Sequence, residues 1–147
     1  RKDVVKNAGS LVGKVNYFWG GKSSAIGWDS AWGTMQRVTA AGSPSSGTIR
    51  AYGLDCSGYV TWAFNNSGMY VGDGTYGQRD RSVVVSASAV QAGDLCFLPS
   101  YSHVGIVVGK DASGNILVFH CSSSANNVVV STASSVGFTV FRRPNCY

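Results

Sequence analysis

No apolar run in this chain approaches the ~20 residues needed to cross a bilayer, so none of its 147 residues reads as a membrane span. There is no Cys-x-x-Cys pair, no internal repeat and no dense run of basic residues. Charged residues are sparse, at 13%, whereas 44% are hydrophobic; that balance excludes a disordered chain and is enough for one domain over residues 1–147 with a core. The net charge is +5, so the partners it favours are polyanions such as nucleic acid, anionic membrane or bacterial cell wall. Arg1, Lys2, Lys6, Lys14, Arg37, Arg79, Arg81, Arg142 and Arg143 are scattered, and no recognition motif accompanies them, which argues against nucleic acid. No secretion signal is visible. The start at Arg1 rather than Met reads as a processed or excised piece of a longer protein.

What is abundant is glycine, 19 residues, with many serines, the composition of a loop-rich protein with tight turns. Val4, Val5, Ala8, Leu11 and Val12 fall at helical spacing, which predicts a first helix over 1–13 with Gly13 as its stop. An aromatic cluster, Tyr17-Phe18-Trp19, then runs into Gly20-Gly21. Residues 22–54 are the least regular part, with a short helix expected around Ser30 to Val38. Residues 56–67 read as a helix with almost no polar face, ended by Asn65, Asn66, Ser67 and Gly68. From residue 83 the period changes, and strands are predicted at 83–86, 94–98, 103–109, 115–120, 127–131 and 137–142. Helices first and short strands after imply an α+β fold on an antiparallel sheet of five to six strands.

The chemistry-bearing residues are few. Cys56 stands between Asp55 and Ser57 at a helix start, where the partial positive charge of the helix favours thiolate. His103 and His120 are the only two histidines. The turn around Asp111, Ser113 and Gly114 makes a hairpin of their two strands, in which opposed residues sum to about 223 to 225. His103 and His120 then lie directly opposite or one diagonal step apart, on one face. If the helix headed by Cys56 packs on that face, His103 takes the thiol proton and His120 fixes the tautomer of His103. Backbone N–H groups at the helix start can stabilise an oxyanion. Taken singly, each has a plainer role: Cys56 as a small buried hydrophobe, Asp55 as an N-cap, and Tyr17, Phe18 and Trp19 as core. Cys96, Cys121 and Cys146 read as structural, free thiols being favoured while the spacing leaves disulfide pairs among them open. Asp55, Cys56, His103 and His120 match no zinc-site spacing, and no metal or other cofactor is expected.

Five motifs in order, Tyr17-Phe18-Trp19-Gly20-Gly21, Asp55-Cys56-Ser57-Gly58-Tyr59-Val60, Gly93-Asp94-Leu95, His103-Val104-Gly105-Ile106-Val107 and Phe119-His120, resemble those of the NlpC-type cysteine peptidases. The resemblance runs from about residue 4 to residue 142. It implies a reduced papain-like fold and cleavage of peptidoglycan stem peptides, typically between D-γ-glutamate and diaminopimelate or lysine. It implies Cys56 as nucleophile, His103 as base and His120 as third residue, with Tyr17 at the oxyanion or substrate and Trp19, Asp55 and Ser57 lining subsites. It further implies an extracellular or cell-wall location in bacteria or phage, with additional wall-hydrolase or wall-binding domains in the full-length protein. The alternatives are an N-acetylmuramoyl-L-alanine amidase of the same class and a non-catalytic wall-binding module. Against the family pattern, residues 22–54 form an insertion expected at the groove rim, where Trp28, Trp32 and Arg37 would extend or restrict the site.

Overall fold

The apolar stripe at the head of the chain folds as helix α1, Lys2–Ser10, in a computed structural model that describes residues 1–147. Val4 and Ala8 face the core. The helix ends three residues earlier than Gly13 suggested, because the chain tightens into i→i−3 turns at Leu11 and Val12. Gly13 then takes the left-handed conformation, and its N–H leaves the helix to bond Val128.

The most buried helix is α2, Cys56–Asn65. Tyr59, Val60, Trp62, Ala63 and Phe64 are all buried, as the lack of a polar face requires. Tyr59 places its hydroxyl on the Ala8 carbonyl at 2.7 Å, so α1 and α2 meet through a satisfied polar contact within an apolar cluster. Beyond α2, helix α3, Gly74–Asp80, was not legible in the sequence. Two glycines weaken its propensity. It is tied to α2 through Gln78, which is fully buried and donates from Nε2 to the Ser57 carbonyl at 3.0 Å and to Thr61 Oγ1 at 3.1 Å.

The second half is α+β as expected. Strands β3 (Ser82–Val85), β4 (Leu95–Phe97), β5 (Val104–Lys110), β6 (Ile116–Ser122), β7 (Asn127–Thr132) and β8 (Val140–Pro144) form one six-stranded sheet. Its order is β3-β8-β4-β5-β6-β7, and every pair is antiparallel. The last strand begins at Val140, not 137, because helix α4, Ala133–Val136, occupies the preceding residues and Gly137 closes it at φ 91°. In the β5–β6 hairpin Ile106 faces Phe119, and a bulge follows Val107. No helix is long and apolar enough to cross a membrane.

The short helix expected around Ser30 to Val38 does not form. Residues 35–37 instead pair antiparallel with 49–51 as a separate two-stranded sheet, β1 (Met35–Arg37) and β2 (Ile49–Ala51). Trp32 turns inward against Trp62, with ring centroids 5.8 Å apart, and Trp28 stands edge-on to Trp32 at 4.9 Å. Burying Trp32 against α2 outweighs the weak helical periodicity of the segment.

Candidate active site

Three glycines let three stretches of backbone meet where α2 begins. A Cβ at Gly21 would collide with the Gly53 carbonyl, one at Gly53 with the Asn16 carbonyl, and one at Gly58 with the Gly21 carbonyl. This close approach allows Phe18 N–H to bond Leu54, Leu54 N–H to bond Asn16, and Asp55 N–H to bond Gly21. The aromatic-Gly-Gly motif is thereby clamped onto the Asp-Cys-Ser-Gly motif. Tyr17 bridges Leu54, two residues before the cysteine.

Asp55 caps α2 by accepting from Gly58 N–H at 2.7 Å. The same carboxylate holds the Lys22 ammonium at 2.7 and 2.8 Å, and Lys22 also reaches Ser57 Oγ at 3.0 Å. Cys56 is thus the first residue of the helix, 8% exposed. Its thiol is pushed up to about 11, by burial first and by the Asp55 carboxylate second; the Val104 and Ser57 amides and Lys22 pull the other way. This corrects the expectation of a thiolate. The favourable field at one helix end does not compensate for removing the sulfur from water beside an anion.

The two imidazoles meet because the hairpin takes one of the odd-sum registers, 106 opposite 119. In the observed register His120 lies opposite Gly105, which puts His103 one diagonal step away on the same face. His103 Nε2 and His120 Nδ1 are 2.9 Å apart. Phe138 stacks on His103 with centroids at 5.3 Å and planes 11° apart, and meets His120 edge-on at 5.7 Å. His120 Nε2 is 2.9 Å from Ser131 Oγ. Burial and the neighbouring His120 lower His103 to about 4, and burial lowers His120. Both rings are neutral at pH 7.

Tyr17, Trp19, Cys56, His103 and His120 all line one cleft of about 730 Å³. Cys56 and His103 share its wall without a hydrogen bond between them, whereas the two histidines are bonded directly. In free enzymes a nucleophile–base contact commonly closes only on substrate. Tyr17 is held protonated, its hydroxyl pushed up by burial and then by the neighbouring Cys56, so it can act only as a donor or neutral acceptor. Asp55 and Ser57 line a smaller adjoining pocket that also contains Trp19 and Cys56. Trp28, Trp32 and Arg37 do not line the cleft. Segment 22–54 reaches it through Gly42, Ser43 and Pro44, steadied by Trp19 Nε1 donating to the Ala41 carbonyl at 2.8 Å.

Lys22, Gln78, Ser131 and Phe138 were not singled out from the sequence. Only Ser131 had a usable signal, since continuing the pairing from β6 into β7 sets it diagonal to His120.

A model of the NlpC/P60 family matches residues 13–141. The chain belongs to the NlpC/P60 family. Peptidoglycan endopeptidase RipB of Mycobacterium tuberculosis is 30% identical over 140 residues, covering 94% of this chain and 50% of RipB. Peptidoglycan DL-endopeptidase CwlO of Bacillus licheniformis is 30% identical over 112 residues, covering 73% of this chain and 20% of CwlO. This NlpC/P60 chain therefore spans half or less of the length of the curated relatives it matches. The solved structure of RipB superposes with a TM-score of 0.73 at 27% identity, covering 99% of this chain and 64% of that one. RipD of M. tuberculosis, described as a non-catalytic NlpC/p60 domain protein adapted to peptidoglycan binding, shares the fold at 19% identity and a TM-score of 0.69, over 97% of this chain and 94% of that one.

Proposed function

We propose that this NlpC/P60 chain is a cysteine endopeptidase of peptidoglycan stem peptides, acting at the bond between D-γ-glutamate and diaminopimelate or lysine. The observation that carries the reading is the His103–His120 hydrogen bond on the wall of the cleft that Cys56 also lines. A neutral thiol and a neutral imidazole suit a proton transfer made during attack rather than before it. The Cys56 S–H proton passes to His103 Nδ1 as the sulfur bonds to the γ-glutamyl carbonyl carbon. Negative charge develops on the carbonyl oxygen, near the N–H groups of the α2 start and the protonated Tyr17 hydroxyl. The C–N bond then breaks, and His103 gives its proton to the leaving amine. Water, losing a proton to His103, attacks the thioester and releases the acid, and the proton returns to sulfur.

Asp55 and Ser57 flank the thiol and form a polar subsite, with Trp19 as its wall and the Lys22 ammonium held across the Asp55 carboxylate. The names of RipB and CwlO support the substrate class. An extracellular or cell-wall setting, and further domains beyond this chain, belong to the same proposal.

Digestion of purified muropeptides followed by mass spectrometry tests it. The expected products are a stem ending in D-glutamate and a new free amine on the third residue. Loss of the whole stem from the glycan would instead indicate an N-acetylmuramoyl-L-alanine amidase. The buried, protonated thiol is the observation that favours a second reading, a stem-binding module without turnover. Binding of muropeptides with no product after prolonged incubation would establish that one.

A further inference from the structure

We propose that Ser131 is a positioning residue that sets which nitrogen of His103 is basic; this rests on the peptidase reading above. Three polar side chains cross the sheet obliquely from the start of β5 through β6 to β7. His120 lies opposite Gly105 on one side and opposite Val129 on the other. His103 is two residues before Gly105 and Ser131 two residues after Val129, so the same diagonal step is taken twice on one face. The distances are 2.9 Å from His103 Nε2 to His120 Nδ1 and 2.9 Å from His120 Nε2 to Ser131 Oγ. Phe138, stacked on His103 and edge-on to His120, restricts rotation of both rings, so the remaining freedom is the placing of protons.

The reaction decides that placing. Once His103 has taken the thiol proton, both of its nitrogens are donors. Its Nε2–H is satisfied only if His120 Nδ1 accepts. A neutral His120 then carries its proton on Nε2, and at 4% exposure that donor needs an acceptor on a neighbouring side chain. Ser131 Oγ is that acceptor, with its own proton free to turn elsewhere. Before the reaction the same polarity holds His103 as the Nε2–H tautomer and leaves Nδ1 with its lone pair. Without the hydroxyl, His120 avoids an unpaired Nε2–H by moving its proton to Nδ1. It then donates to His103 Nε2, which forces the His103 proton onto Nδ1 and removes the base.

The test compares wild type, Ser131→Ala and Ser131→Thr, with ¹⁵N-labelled histidine. The ring nitrogen shifts of wild type should show His103 protonated on Nε2 alone. Ser131→Ala should move proton density to His103 Nδ1 and lower kcat on muropeptides about tenfold or more, the cost of about one hydrogen bond, with KM unchanged. Ser131→Thr, which keeps the hydroxyl on a strand position, should restore both. A wild-type His103 protonated on Nδ1, or a Ser131→Ala protein with the wild-type tautomer, overturns the proposal, as does a shifted tautomer with undiminished turnover. If wild type turns over no muropeptide, the peptidase reading fails, and the nitrogen shifts alone still decide the role of Ser131.

Discussion

Replacing Asp55 by Asn should make Cys56 more reactive while making the protein a worse hydrolase. Asparagine keeps the cap, since its Oδ1 can accept from Gly58 N–H as the carboxylate does at 2.7 Å. The substitution removes the anion that ranks second among the causes raising the thiol to about 11. A unit charge about 6 Å away is worth about 2.8 kcal/mol at an effective dielectric of about 20, or about two pKa units. Lys22, whose ammonium the carboxylate holds at 2.7 Å and which pulls the thiol down, loses that anchor in the variant, so its opposing field goes with the carboxylate's and about one unit of net effect is left. Thiolate at pH 8 then rises about tenfold. The weaker nucleophilicity of a more acidic thiol takes back about threefold, so alkylation should quicken about threefold. The assay is iodoacetamide labelling at pH 8, with the Cys56 peptide followed by mass spectrometry. Muropeptide kcat/KM should fall in the same protein, because the subsite loses the ion pair that holds Lys22 against Ser57. Alkylation of Asp55→Asn no faster than wild type would refute the electrostatic argument.

Other outcomes follow from single features of the structure. Gly58→Ala places a methyl group against the Gly21 carbonyl and should separate the two motifs, with a lower Tm and lost activity. Asp94 is fully buried and paired with Arg143 at 2.8 and 3.0 Å and with Arg1 at 3.1 Å, both arginines partly exposed; Asp94→Asn should cost about 2 kcal/mol, read as a midpoint shift in urea unfolding. His103, lowered to about 4, has an unfolded value near 6.5, so between those pH values the unfolded chain binds more protons. Stability from this group is therefore complete above about pH 6.5 and lost as pH falls towards 4, by about 3 kcal/mol in all. A His103→Gln protein should show a flatter dependence across that window, and an unchanged slope would contradict the assignment.

The legible parts of this protein were those governed by local periodicity and by pairing. The buried helix headed by Cys56 has an unmistakable apolar surface, and the β5–β6 turn constrains its register tightly enough to bring two distant histidines within one diagonal step. Helix α3 was hidden because what ties it to α2 is the long-range Gln78 contact with Ser57 and Thr61, which no local pattern announces. The segment around Trp32 misled because a tertiary contact, Trp32 on Trp62, overrides its weak helical pattern. The burial that opposes a thiolate is hidden for a related reason: position at a helix start can be read from sequence, whereas burial to 8% exposure beside Asp55 is a property of the assembled fold. Gly21 and Gly58 stand in the sequence only as motif letters, and their physical role, contact between backbones, emerges only when the two motifs are seen touching.

The central claim is that the Cys56 sulfur becomes acylated by a stem peptide during turnover. Acid-quenching the protein milliseconds to seconds after mixing with muropeptide, followed by intact-mass and peptide mapping, measures this directly. The predicted result is a mass increase equal to the γ-glutamyl acyl fragment, mapped to Cys56 and absent from Cys56→Ala, which should also form no product. Product formation by Cys56→Ala at the wild-type rate would contradict the account.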